Sequence, residues 1–294
     1  MRRIFLIILF LNCAIFANAD DKLKIITTIF PLYDFTKEIG REKIDVTILL
    51  PPGIEAHSFS PTPLDIMKLN KADILIYTSK YMEPWIEDII KALENKKLII
   101  IDSSLNIELL KESGHKHQVD PHIWLNPIFA KKIVFNISNG LSSKDLKNKE
   151  FYLNNLIEYN NKLDILDINI RDKLKNCKHN EIFYGGHFAF GYFAKEYGLK
   201  HKSPYKGFSP NAEPSSKGIA DLVKKMKKSQ IKTIYYEELI DPKVAKAISE
   251  ETGANMFMLH GVHNITKDDM KKGSTYLSIM YDNIEKLKIG LECR

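Results

Sequence analysis

The sequence predicts an α/β protein of two lobes, each a parallel-type sheet flanked by helices, joined by one long rigid helix. Three observations predict it. Short β-rich runs alternate with helical patterns, and near-continuous apolar strands separated by helices belong to parallel sheets covered on both faces. The alternation occurs in two separate halves of the chain. Between them, residues 142–177 contain neither glycine nor proline and carry apolar residues at roughly helical spacing.

The elements follow in chain order. Arg2 and Arg3, an apolar run from Ile4 to Phe16, and Ala17-Asn18-Ala19 ahead of Asp20 form a charged, apolar and small-residue series. That series is expected to be a secretory signal peptide over residues 1–19, too short to span a bilayer comfortably. Cys13 offers a lipid-attachment alternative, but Leu11-Asn12 before it are not the small residues such processing uses. An N-terminal lobe over residues 20–141 holds the strand runs "LKIITTIF", "IDVTILL", "DILIYT" and "KLIIID". Residues 142–176 form the linker helix. Phe151, Leu153, Leu156, Ile157, Tyr159, Leu163, Ile165, Leu166, Ile168 and Ile170 supply its apolar pattern, and Ser143 with Asp145 is the expected start signal. Roughly 28 helical residues would reach about 40 Å, which suits a strut better than a flexible linker. A C-terminal lobe over residues 177–294 holds "EIFYGGH", "TIYYE" and "NMFMLH".

Composition narrows the function classes. Removing the signal lowers the formal charge from +6 to +4, a mild excess that implies no nucleic-acid partner. The densest basic run, Lys224-Lys225-Met226-Lys227-Lys228, reads as the solvated face of a helix. Cys177 and Cys293 lack the spacing of a metal knuckle, and whether they pair or remain thiols is left open by the sequence.

A single buried histidine is ordinarily a hydrogen-bonded residue at the edge of a core. Here the histidines form a pattern. Ligands of open α/β sheets bind beyond the carboxyl ends of the strands. His57 lies in the proline-stiffened loop "PPGIEAHSFSPTP" after "IDVTILL". His122 lies in "DPHIWLNP", with Pro121 and Pro127 restricting the backbone and Trp124 as a low-polarity wall. His187 follows a strand and Gly185-Gly186, which permit a tight turn into the next element. His260 and His263 follow the strand in "NMFMLHGVHN". Four loops, two in each half, thus present imidazole toward one crevice, and this points to a metal site between the lobes. An all-nitrogen set suits zinc, disfavours manganese or magnesium, and leaves copper and nickel open on ligand softness.

The segments "PPGIEAHSFSPTPLDI", "DPHIWLNP", "GGHFAFGYFAKEYGL", "GFSPNAEPS" and "EETGANMFMLHGVHNITKDDMKKGSTYLSIMYDNIEKL" together resemble the zinc/manganese solute-binding proteins of bacterial ABC importers. The resemblance runs over essentially the whole chain beyond the signal. It implies His57, His122 and His187 as direct ligands in a cleft between lobes. At the fourth position this chain departs from the common pattern. Relatives place an aspartate where His260 stands or a glutamate where His263 stands, whereas both are histidine here. His263 is the expected ligand and His260 the alternative. The long His- and acid-rich tract that zinc-type relatives carry before His122 is reduced to His115 and His117, read as part of a solvated loop. Glu55 reads as a loop carboxylate that could orient a ligand. Glu213, Tyr235, Tyr236 and Glu237 read as hydrogen-bonding structure, and His179 and His201 as surface residues.

The resemblance implies a non-enzymatic, periplasmic, monomeric zinc receptor whose Zn2+ is transported cargo, working with an ABC permease and ATPase. A manganese-preferring receptor of the same family is an alternative. So is a zinc hydrolase, in which Glu237 or Glu238 would have to serve as a base beside an open metal position; no HExxH motif is present. A sugar or amino-acid receptor of similar architecture would line its cleft with aromatic and charged groups instead.

Overall fold

In the computed structural model, the described residues are 22–56, 58–111, 119–205 and 214–294. The expected signal peptide, His57, His115, His117 and Glu213 lie outside them. The first half is built from β1 (Leu23–Thr27), α1 (Phe30–Gly40), β2 (Ile44–Ile48), α2 (Pro63–Leu69), β3 (Ile74–Tyr77), α3 (Ile86–Ala92) and β4 (Ile99–Asp102). All four strands pair in parallel in the order β2-β1-β3-β4. The inner strands β1 and β3 carry the apolar residues Ile25-Ile26 and Ile74-Leu75-Ile76, all of them buried.

The second half contains β5 (Glu181–Phe183), α6 (Gly191–Glu196), β6 (Lys200–Lys202), α7 (Ser216–Ser229), β7 (Thr233–Tyr236), α8 (Lys243–Thr252), β8 (Asn255–Met258), α9 (Lys267–Lys272) and α10 (Tyr276–Gly290). β5 pairs with β6 and β7 with β8, again in parallel, and a parallel bridge between Tyr184 and Tyr235 joins the two ladders. β6 has no counterpart among the sequence-predicted strands. It reads Lys-His-Lys and is exposed throughout, an edge strand without the apolar signature that reveals an inner one. His201 on it nevertheless lays its ring flat on Phe188, with centroids 3.9 Å apart. The lysines at 224, 225, 227 and 228 are exposed along α7 while Leu222 and Met226 face inward, as the charge pattern predicts.

The connection between the halves differs from the single helix expected from Ser142. Ser142–Lys144 complete an earlier helix, α4 (Pro127–Lys144), started by Pro127 and by the Asn126 side chain accepting the Ile128 N–H at 2.8 Å. A short turn over Leu146–Asn148 precedes α5 (Lys149–Leu174), a helix of 26 residues. Ser143 does not cap α5; its hydroxyl donates to the Gly140 carbonyl inside α4. Asp145 instead accepts the Tyr152 hydroxyl at 2.8 Å and the Asn148 amide. The face of α5 that meets the core is Tyr152, Asn155, Leu156, Tyr159, Leu163, Leu166 and Ile170. Ile157, Ile165 and Ile168, counted in the apolar pattern, are exposed.

α5 packs against α4, α1 and α10. The largest buried cluster therefore includes side chains of both halves, from Ile25 and Phe35 through Leu163 to Ile284 and Leu287. Each half also has a smaller cluster of its own beneath its sheet. Cys177 and Cys293 are joined by a disulfide, which ties the chain just after α5 to the chain just after α10. No helix among the described residues is long and apolar enough to cross a membrane.

Candidate metal centre

Parallel strands bring their carboxyl ends to one edge, and the loops leaving those ends carry the site. Glu237 and Glu238 follow β7 directly, His260 and His263 follow β8, and His187 lies four residues beyond β5. His122 sits at the start of the one-turn helix Ile123–Leu125 that leads into α4. One ring nitrogen from each of His122, His187 and His263 lies within 4.8 Å of the others. All three residues are buried. The Nε2 atoms of His122 and His187 stand 3.3 Å apart. Two nitrogens bound at about 2.0–2.1 Å to one tetrahedral zinc are separated by roughly 3.3 Å.

Each of these imidazoles is oriented by a carboxylate. Asp120 Oδ1 accepts both the backbone N–H of His122 at 3.0 Å and its Nδ1–H at 2.7 Å. Glu237 repeats the arrangement on His187, taking the backbone N–H on Oε1 at 3.1 Å and Nδ1–H on Oε2 at 2.8 Å. Glu238 takes the Nδ1–H of His263 on Oε1 at 3.2 Å and the N–H of Gly261 on Oε2 at 2.7 Å. A carboxylate on Nδ1 selects the tautomer that presents Nε2 to a metal and raises the basicity of the ring. Glu237, expected from the sequence to be hydrogen-bonding structure, is so in its bonds to His187, and Glu238, considered there only as a base that would have to reach the cleft, takes the same part on His263. Their loop packs beside His187 and His263, and Asp120, inside the "DPHIWLNP" motif, has the same part.

Electrostatics follow the geometry. Burial works against charge on Glu238, but His260, His263 and the Gly261 N–H outweigh it and hold its carboxyl at about 2. Burial likewise opposes charge on His263, and the bonded, ionised Glu238 overrides it and raises the imidazole above its ordinary value. Asp120 is pushed up to about 8 by burial, against the lowering effect of the His122 N–H and of His263.

His260 stands apart from this group. Its Nδ1 accepts the Val262 N–H at 2.9 Å, and its backbone N–H and carbonyl are both bonded by the Asn283 side chain at 2.8 Å. Val262 has φ +61°, a left-handed conformation that a β-branched residue adopts at a cost. The His260 side chain thus closes the strained turn that aims His263. Trp124 walls the site as expected. Its ring lies edge-on to His122 and to His263, both at 5.4 Å, and its Nε1–H donates to the Gly261 carbonyl at 2.9 Å. The Tyr276 hydroxyl in turn donates to the Trp124 carbonyl at 2.7 Å. Asn264, which the sequence did not single out, donates its side-chain amide to the Pro51 and Ile54 carbonyls and so fastens the loop that leads to His57. Glu55 and Ala56 of that loop line a small cavity with Glu237, Glu238 and His263. His179 and His201 lie outside the grouped histidines.

Comparison with known proteins agrees with this geometry in kind. The family model described as "ZnuA: Zinc-uptake complex component A periplasmic" matches residues 25–290. The chain is 38% identical over 286 residues to the high-affinity zinc uptake system protein ZnuA of Bacillus subtilis, covering 93% of this chain and 89% of that protein. It is 36% identical over 292 residues to the zinc-binding protein AdcA of Streptococcus pyogenes, covering 92% of this chain and 56% of that longer protein. The crystal structure of the Zn(II)-bound ZnuA-like domain of Streptococcus pneumoniae AdcA superposes with a TM-score of 0.81 at 34% identity, over 92% of this chain and 99% of that one. With parallel sheets flanked by helices, imidazoles gathered at the strand ends and a family match across nearly all the described chain, this protein belongs to the ZnuA family.

Proposed function

We propose that the chain is an extracytoplasmic zinc receptor that binds Zn2+ as cargo and delivers it to an ABC permease and its ATPase. The observation that carries the reading is the group of His122, His187 and His263, buried, with ring nitrogens converging and a carboxylate on each Nδ1. His57 is the fourth ligand in this reading, on the loop held by Asn264. His263 rather than His260 completes the set, because the Nδ1 of His260 is engaged by the Val262 N–H. A donor set of neutral imidazoles favours zinc over manganese. The names of the relatives point the same way.

The receptor reading also covers organisation. Residues 1–19 export the chain to the periplasm, residues 20–141 and 177–294 form two lobes, and α5 between them restrains their motion. The protein acts as a monomer and performs no chemistry on the metal. Glu237 and Glu238 do reach the site, as a hydrolase would need. Both are bound to the Nδ1 side of ligand imidazoles, where they orient rings instead of activating water.

Metal analysis and competitive zinc titration test the reading. One Zn2+ per chain is expected, weakened at least 100-fold by His122→Ala, His187→Ala or His263→Ala. His260→Ala should weaken it less, and His260→Asn, which keeps an acceptor near the Val262 N–H, less still. Absence of stoichiometric zinc, or a His263→Ala variant that binds like the parent, would overturn it.

A further inference from the structure

We infer that Gly186, Gly191 and Gly261 are positioning residues of the metal centre, each leaving the space in which one histidine–carboxylate pair is seated. The inference rests on the receptor reading and deepens it. None of the three has the left-handed backbone that demands glycine, unlike Gly53, Gly198, Gly253 and Gly273. A left-handed backbone therefore does not account for them; the chain does bend at Gly185-Gly186, as the sequence predicts, and space is a separate reason for glycine there.

The space is occupied in each case by the site. A Cβ on Gly186 would stand 2.5 Å from Glu237 Oε1, the oxygen that accepts the His187 N–H. A Cβ on Gly191 would stand 2.4 Å from Asp120 Oδ2, whose sister oxygen holds His122. A Cβ on Gly261 would stand 2.5 Å and 2.7 Å from Cε1 and Nδ1 of the His263 ring, with Glu238 Oε1 3.4 Å away. The nearest atom at each glycine, at 2.5 Å, 2.4 Å and 2.5 Å, is well inside van der Waals contact. Three separate segments of the chain thus solve the same problem for the three pairs that the Nε2 cluster depends on.

What each Cβ would meet also decides the consequence. At Gly185 the obstruction is the backbone of Ala245, so a side chain there would push on the fold. At Gly186 and Gly191 it is the tip of a carboxylate side chain, and at Gly261 it is the imidazole itself. Side-chain tips move before backbones do, so the fold accommodates alanine by displacing the carboxylate or ring. The nitrogens behind them then lose their alignment. Groups that orient metal ligands in this way are commonly worth 10–100-fold in metal affinity.

Gly186→Ala, Gly191→Ala and Gly261→Ala are compared with the parent in competitive Zn2+ titration, in the visible absorption of the Co2+ form, and in the low-field Nδ1–H proton resonances of the metal-free protein. Gly140→Ala in α4, whose Cβ would collide with the side chain of Ile101 on β4, serves as a packing control outside the site. The double variant Gly186→Ala/Glu237→Asp shortens the displaced carboxylate and tests rescue. The expected result is 10–100-fold weaker Zn2+ binding and an altered Co2+ spectrum in the three site variants, with at least tenfold recovery in the double variant. Gly140→Ala should lower the unfolding midpoint and leave affinity and spectrum unchanged. Site variants that bind and absorb like the parent, or that lose affinity only as Gly140→Ala does, overturn the inference. If the parent binds no Zn2+, the receptor reading falls, and the His187 Nδ1–H resonance alone decides. Its displacement in Gly186→Ala and return in the double variant sustains the seating, and its constancy refutes it.

Discussion

At the scale of residues, the site is a set of repeated pairs. Asp120 with His122, Glu237 with His187 and Glu238 with His263 each place an acceptor on Nδ1. A carboxylate that makes an imidazole a better metal ligand also makes it a better base for a proton, so protons and metal compete. The ionised Glu238 raises His263 above its ordinary value of 6.5. Metal must displace that proton, and zinc affinity is therefore expected to rise with pH through and somewhat above 6.5, and to fall steadily below it. Titrations from pH 5.5 to 8.5 check the sign. Glu238→Gln removes the charge that raises His263 and should shift the rise in affinity to lower pH, while weakening binding at high pH by about 10-fold or more. A flat profile in the parent would contradict proton competition at this pair.

At the scale of elements, the halves meet where α1, α5 and α10 pack together. Asp34 on α1 accepts the Tyr276 N–H at 2.9 Å, at the start of α10, as an N-terminal carboxylate acting across the junction. Burial nevertheless dominates and pushes Asp34 up to about 6, against that bond. Glu38 adds to the rise, and Lys37 with Lys162 opposes it. A folded-state value above the unfolded one means that the folded protein holds the proton more tightly. The associated stability is complete below about 3.8 and is lost as pH rises through about 6. Two pH units correspond to roughly 3 kcal/mol as an upper figure. Asp34→Asn keeps an acceptor for the Tyr276 N–H and carries no charge. It is expected to be more stable than the parent at pH 7, with the advantage vanishing toward pH 4. Urea unfolding across that range measures it, and an asparagine variant less stable at pH 7 would show that the helix-terminal charge outweighs its burial.

At the scale of the whole molecule, the main core is shared by both halves, and the disulfide closes a span of 116 residues from the end of α5 to the chain terminus. Cys177 precedes β5, so the bond sits at the amino-terminal edge of the second sheet, opposite the carboxyl ends that carry the histidines. Joining residues so far apart restricts the unfolded chain and is worth about 2–5 kcal/mol. Replacing both cysteines by serine should lower unfolding stability by that amount and leave zinc affinity within about twofold. A large loss of affinity would mean that the clamp shapes the site as well as the fold.

The fold class and the convergence of His122, His187 and His263 were legible in the residues themselves. Apolar strand runs of Ile, Leu and Tyr must be buried on both faces, and histidines after such strands converge because parallel strands end on one side. Local pattern alone also announced α5, although not its start, because Ser142–Lys144 continue α4 without any glycine or proline to mark the break. β6 escaped because an exposed Lys-His-Lys edge has no apolar period. The partners of the imidazoles were legible only in part. Asp120 lies two residues from His122, but Glu237 lies 50 residues from His187 and Glu238 lies 25 from His263. The separation of His263 from His260, the disulfide and the space left by three glycines were likewise decided by tertiary structure. Periodicity reports which face of an element is buried, but hydrogen bonds and contacts between distant loops exist only once the chain has packed.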